Sequence, residues 1–251
     1  MSTVQRPQAT LGGENHLICW PDPTILRSSD RSHGGCRVKY VLATSAVLLA
    51  SPVSAQDWSG TWAGMAIGYG AGTYDQGDFE AGQEGVRVEV DRAIVGLHLE
   101  RNFQRESTVF GFDVDISNGV YGMRPQGTGA PWWSCTIGDC VVDITAFMTI
   151  RGRYGWLLNP ETMVYGAVGL AAGKAEGGIL DSLQEGSSTA VGYTVGGGVS
   201  RMIGPNTVIY GEINHVDLGT LQFGAGDTPG EDVFDAKGDF ATIKLGANFR
   251  F

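Results

Sequence analysis

The sequence predicts an all-β chain: an eight-stranded antiparallel up-and-down transmembrane β-barrel spanning residues 56–251. Three observations predict it. The last twelve residues, Phe240 to Phe251, alternate with period two: Ala241, Ile243, Leu245, Ala247, Phe249 and Phe251 form an apolar face. Phe240, Thr242, Lys244, Gly246, Asn248 and Arg250 fall opposite, a face largely polar or small. An apolar face over a polar or small one fits lipid on one side and a wet or packed interior on the other. The alternation recurs in seven earlier segments. The connections between them are alternately short and long, which is how a membrane barrel places tight turns at one end and loops at the other.

The segments justify themselves in order. Strand one, about 58–70, sets Ala63, Met65, Ile67 and Tyr69 against Gly64, Ala66, Gly68 and Gly70. Strand two, about 87–101, has Ala93, Val95, Leu97 and Leu99 on its apolar face, with His98 and Glu100 opposite. Strand three, about 108–117, alternates Phe110, Phe112, Val114 and Ile116 with Gly111, Asp113 and Asp115. Strand four, about 142–156, sets Ile144, Ala146, Met148 and Ile150 against Thr145, Thr149, Arg151 and Arg153. Strand five, about 162–173, is small or apolar on both phases, and Val164, Val168 and Leu170 are expected outward. Strand six, about 190–201, places Val191, Tyr193, Val195 and Val199 opposite Gly192, Thr194, Gly196, Gly198 and Ser200. Strand seven, about 207–216, has Ile209 and Ile213 on one face and Glu212 and Asn214 on the other. The terminal strand is the eighth.

Connections 102–107, 157–161 and 202–206 are short and carry turn residues such as Asn159-Pro160 and Gly204-Pro-Asn206. Connections 71–86, 118–141, 174–189 and 217–239 are expected to be long outer loops, rich in Gly, Asp, Glu and Ser. A soluble eight-stranded barrel would carry its polar residues outside and would lack this alternation of loop lengths.

Residues 38–55 have the form of a secretory signal. Arg37 and Lys39 are basic, Tyr40 to Ala50 is apolar, and Pro52-Val-Ser-Ala55 offers small residues for cleavage between Ala55 and Gln56. The run is short for a membrane helix, which takes about 20 apolar residues. Residues 1–37 show no periodicity and are expected to be an untranslated or disordered extension, with Val38 as an initiator read from a GTG codon.

Composition narrows the function. Five of the 17 Lys and Arg and three of the 27 Asp and Glu precede Gln56, which leaves 12 against 24, net −12. A chain this acidic has no electrostatic case for nucleic acid. Gly is abundant, 39 residues in all. In a narrow barrel such residues make room for larger inward side chains. Cys135 and Cys140 are the cysteines after Gln56, in Cys135-Thr-Ile-Gly-Asp-Cys140. In an exported chain they are expected to form a local disulfide. A metal site is the competing reading, and no His lies near them. No metal and no cofactor is expected.

Several stretches carry a family resemblance: Trp58-Ser-Gly-Thr-Trp-Ala-Gly-Met-Ala-Ile-Gly-Tyr69, Val109-Phe-Gly-Phe-Asp-Val-Asp-Ile116, Thr149-Ile-Arg-Gly-Arg-Tyr-Gly155, Val164-Tyr-Gly-Ala-Val-Gly-Leu-Ala171, Gly192-Tyr-Thr-Val-Gly-Gly-Gly-Val199 and Asn248-Phe-Arg-Phe251. In this order and spacing the chain resembles the small alphaproteobacterial outer-membrane β-barrel proteins, the OmpA-like or porin-like surface proteins. Where that family tends to read E-Y-x-Y-x-D, this chain reads Glu212-Ile-Asn-His-Val-Asp217, which puts an aromatic-girdle position in question. The resemblance implies location in the outer membrane and a role at the surface or in envelope structure. It also implies that Phe249 and Phe251 carry the signal read by the outer-membrane assembly machinery. The implied partners are that machinery, outer-membrane lipid and lipopolysaccharide, and an extracellular ligand reached through the loops.

Three functions follow. In the first, the barrel is structural. Eight strands leave an interior just wide enough for side chains to fill, and inward Asp113, Asp115 and Glu212 pair with Arg151, Arg153 and Lys244. In the second, the charged interior lines a narrow or oligomeric porin-like channel. In the third, the barrel modifies lipopolysaccharide acyl chains, which requires a nucleophile, a His and an orienting carboxylate. His98 and His215 are the histidines available after Gln56, and no Ser lies close to His215 in sequence.

Overall fold

The computed structural model describes residues 57–79, 82–130, 133–135, 138–180, 185–223 and 234–251. The segments proposed as extension and signal, including Ala55 and Gln56, lie outside the described residues. The strands are β1 (Gly60–Asp78), β2 (Gln83–Arg105), β3 (Thr108–Asn118), β4 (Tyr121–Arg124), β5 (Gly129–Ala130), β6 (Trp133–Ser134), β7 (Cys140–Asn159), β8 (Thr162–Ile179), β9 (Glu185–Gly204), β10 (Thr207–Phe223) and β11 (Phe234–Arg250). All pairings are antiparallel, and β1 pairs with both β2 and β11, which closes the sheet. β4 continues β3 against β7 in unbroken register, so the ring has eight staves. The short strands β5 and β6 form a separate hairpin in the second outer loop.

Period-two alternation sets the two faces of this wall. Met65, Ile67, Val95, Leu97, Phe112, Ile116, Ile150, Val168, Leu170, Val191, Ile213, Ile243 and Leu245 all point outward. His98, Asp113, Asp115, Arg151, Arg153, Glu212 and Lys244 all point inward. The outer apolar band is edged by aromatic side chains. Phe103, Phe110, Tyr154, Trp156 and Phe249 lie towards the short turns, and Tyr69, Tyr121 and Tyr193 towards the loops. Such girdles mark the two interfaces of a bilayer. His215, at the position where the family pattern has an aromatic, stands beside Tyr193 with ring centroids 6.0 Å apart, and its Nδ1 lies 3.5 Å from Asp239.

Two expectations change. The outer connections are far shorter than the sequence suggested, because the strands run on past the apolar band: β1 and β2 remain paired as far as Asp78 and Gln83. Beyond the band the outer wall is polar, with Thr73, Glu89, Lys174, Glu176 and Lys237 exposed. Polar exterior residues in a protruding wall look like loop in a search for lipid-facing alternation. The second change is at Ile144, expected outward and in fact fully buried. A bulge at Thr145 shifts the β7–β8 register between Ala146↔Lys174 and Ile144↔Ala175. The Thr145 hydroxyl donates to the Lys174 carbonyl at 3.1 Å. One extra residue reverses the phase of everything beyond it.

Candidate functional site

The interior is a stack of three layers. At the short-turn end Trp58, Trp62, Val109, Met163, Tyr165, Met202 and Val208 form an apolar layer. The entry segment is tied in place there: the Trp58 indole donates to the Pro160 carbonyl at 3.1 Å, and the Trp62 indole donates to the Trp58 carbonyl at 3.2 Å. At the loop end a larger apolar core includes Tyr74, Val88, Ile94, Phe147, Leu218, Phe223, Phe234 and Phe240. Phe147 meets Phe240 edge-on at 5.2 Å, and Phe223 stacks on Phe234 at 5.1 Å.

A polar belt lies between them. Its centre is Arg151 on β7, whose side chain is 2% exposed. Its Nε donates to Asp113 on the adjacent β3 at 2.8 Å. Its other nitrogens reach across the lumen to β10, donating to Glu212 at 2.9 and 3.1 Å and to Asn214 at 2.6 Å. The Tyr165 hydroxyl donates to Glu212 at 2.8 Å. Arg153 pairs with Glu100, lies 3.5 Å from Asp113, and stacks its guanidinium 3.9 Å above the Tyr165 ring. Lys244 on β11 crosses the lumen to donate to Asp115 at 2.7 Å and Ser117 at 2.8 Å. It does so although its register partner is Glu212. His98 Nε2 stands 3.8 Å from Asp113, and Asn248 Nδ2 lies 3.1 Å from His98 Nδ1.

All six charged residues that the sequence placed inside are thus brought into one belt, and the structure adds Glu100, His98, Tyr165, Asn214, Asn248 and Ser117. Glu100 and His98 share the inward phase of β2, a signal visible in the sequence. Tyr165 sits on a strand with no polar face, so nothing distinguished it. Two glycines make room for the large rings. A Cβ at Gly198 would stand 2.8 Å from the Tyr165 hydroxyl, and one at Gly246 would run into the Tyr210 ring. Both glycines face these tyrosines across a strand pair.

Chemically the belt is a set of buried ion pairs, hydrogen-bonded around Arg151 and Lys244, while His98 Nε2, Asp113 Oδ2 and Arg153 Nε make no hydrogen bond among the described residues. Buried charges of this kind need partners and hydrogen bonds to persist. His98 is engaged with Asp113 and Asn248, and His215 faces outward beside Asp239. Among the described residues no group of His, Cys, Asp and Glu is arranged to hold a metal. Cys135 and Cys140 are bonded to each other, with Cα atoms 5.4 Å apart, and both are fully buried at the loop end. The chain's terminal residues Phe249 and Phe251 are exposed on the outer face.

The model of the outer membrane protein β-barrel domain matches residues 41–251. The chain belongs to this family. The match begins within the apolar run assigned to the signal. Relatives of this family member include the 31 kDa outer-membrane immunogenic protein of Brucella melitensis, 27% identical over 216 residues, covering 80% of this chain and 87% of that one. The 22 kDa outer membrane protein of Rhizobium leguminosarum bv. viciae is 27% identical over 198 residues, covering 77% and 80%. Among solved structures, OprG from Pseudomonas aeruginosa superposes with a TM-score of 0.50 at 11% identity, covering 78% of this chain and 99% of that one. That likeness concerns the fold. The protein is an outer-membrane β-barrel of the Gram-negative envelope.

Proposed function

We propose that this barrel is a structural and surface protein of the outer membrane that neither conducts ions nor catalyses a reaction. The observation that carries this reading is the layering of the interior. A belt of paired charges is closed off by apolar side chains at both ends. An ion entering from either side would have to shed water against Trp58 and Trp62 or against Phe147 and Phe240 before meeting a charged group. Once there it would compete with ion pairs already made. The wall beyond the membrane band is polar and carries the disulfide-closed second outer loop, a fitting platform for contact with other molecules. A relative named as an immunogenic outer-membrane protein supports exposure of this end.

Planar-bilayer recording of residues 56–251 refolded in detergent tests the proposal. A silent bilayer at protein densities where a known porin gives steps is expected. Discrete unitary conductance would replace this reading with the porin-like channel. Hydrolysis or transfer of lipopolysaccharide acyl chains by the same preparation, abolished by His98→Ala, would replace it with the enzyme.

A further inference from the structure

The outer wall is not evenly covered. A groove of about 420 Å³ runs along β9, β10 and β11 on the short-turn half of the band, lined by Val199, Ile209, Gly211, Leu245 and the backbone of Tyr210 and Gly246, with Arg201 at one end. Its floor exists because Gly211 points outward between Val199 and Leu245, its partners on the two neighbouring strands. A Cβ at Gly211 would meet only the end of the flexible Leu245 side chain, at 3.2 Å. The groove is therefore open space that a side chain would occupy.

Arg201 pairs in register with Ile209, two residues along the strand from the Val199–Gly211 pair. Two residues of strand rise about 7 Å. The guanidinium thus stands at the short-turn edge of the band, and the apolar groove begins one step deeper. Two neighbouring arginines at that edge are committed elsewhere. Arg250 donates to the carbonyls of Asp57, Ser59 and Pro205, and Arg101 donates to Thr61 and stacks over Phe103. Arg201 is different: its side chain is 62% exposed, and Glu161 is 3.7 Å away, beyond hydrogen-bond length.

We infer that this groove holds one acyl chain of a phospholipid of the periplasmic leaflet, whose phosphate is held by Arg201. Short turns of such barrels face the periplasm. The groove accordingly opens on the leaflet made of phospholipid, at the depth where a phosphate meets the first carbons of its chains. A lipid satisfies both parts at once, since the chain fills the space that Gly211 leaves and the phosphate takes the fork of Arg donors. An apolar wall from a second protein would fill the groove but leave the Arg201 fork with only the Glu161 carboxylate 3.7 Å away. The inference is independent of whether the interior conducts, because it concerns the opposite face of the wall.

The test uses full-length mature protein extracted from outer membranes in mild detergent, with bound lipid read by native mass spectrometry. Folding is confirmed for each variant by heat-modifiable gel mobility. The expected result is one retained phospholipid on the wild-type barrel. Arg201→Gln and Gly211→Leu should each lower retention about tenfold, the effect of losing one charge-assisted contact or the groove itself. Equal retention by all three proteins would overturn the inference. So would loss with Gly211→Leu but not with Arg201→Gln, because the phosphate contact would then be wrong. Retention of lipopolysaccharide instead of phospholipid, or a wild-type dimer that Gly211→Leu dissociates, would assign the groove to another occupant and overturn it as well.

Discussion

Replacing Arg151 with Met tests the buried belt most directly. Arg151 makes four hydrogen bonds, to Asp113, Glu212 twice and Asn214, at 2.6–3.1 Å. Met fills much of the same volume but leaves Glu212 with only the Tyr165 hydroxyl and the Asn214 amide, the latter at 2.7 Å. Asp113 keeps Arg153 at 3.5 Å. Removing one partner of a buried pair and leaving the other charged costs about 3–5 kcal/mol. Adding Glu212→Gln to Arg151→Met removes the stranded charge and should recover at least about 1 kcal/mol, because the penalty lies in the uncompensated ion and not in the lost pair. The control is Arg87→Met. Arg87 binds Asp75 at 3.0 Å, a length close to that of the Arg151 bonds, but the two side chains are 66% and 45% exposed, so the loss should stay below about 1 kcal/mol. Urea titration of barrels folded into lipid vesicles, read by heat-modifiable mobility, measures all three. If Arg151→Met falls within about 1 kcal/mol of Arg87→Met, the belt does not hold the barrel as argued.

Other predictions follow from the wall and its ends. Leu245→Arg puts a charge on the lipid face of β11, where Leu245 is 65% exposed, and should destabilise the inserted barrel by about 2–4 kcal/mol in the same titration. Deleting Phe251, which is 80% exposed, should leave unfolding in vesicles nearly unchanged but reduce insertion in cells; normal insertion would remove it from the assembly signal. Intact mass of the native protein should rise by about two daltons on reduction as the Cys135–Cys140 bond opens, and full alkylation without reductant would contradict that bond. N-terminal sequencing of outer-membrane material should begin at Gln56, whereas a mature form that keeps Met1 to Cys36 would refute the proposed cleavage.

What the sequence determined by itself was the wall. Side chains in a strand alternate by covalent geometry, and lipid tolerates only apolar groups. Runs such as Phe110 to Ile116 and Ala241 to Phe251 therefore declare which phase faces out without reference to any partner. Asp113, Arg151 and Lys244 were legible as inward for the same reason. Their partners were not. Glu212 meets Arg151 from a strand three places around the ring, and Lys244 passes over its own register neighbour to reach Asp115. Such choices depend on the curvature and closure of the sheet, which no local pattern encodes. The tertiary structure also decided the extent of the strands, since a polar protruding wall and a loop read alike, and the orientation of Ile144, reversed by one bulged residue. The sealing layers came from closure too: Trp58 and Phe240 lie nearly at opposite ends of the barrel sequence, and they become lids only when the ring brings each over an end of the same lumen.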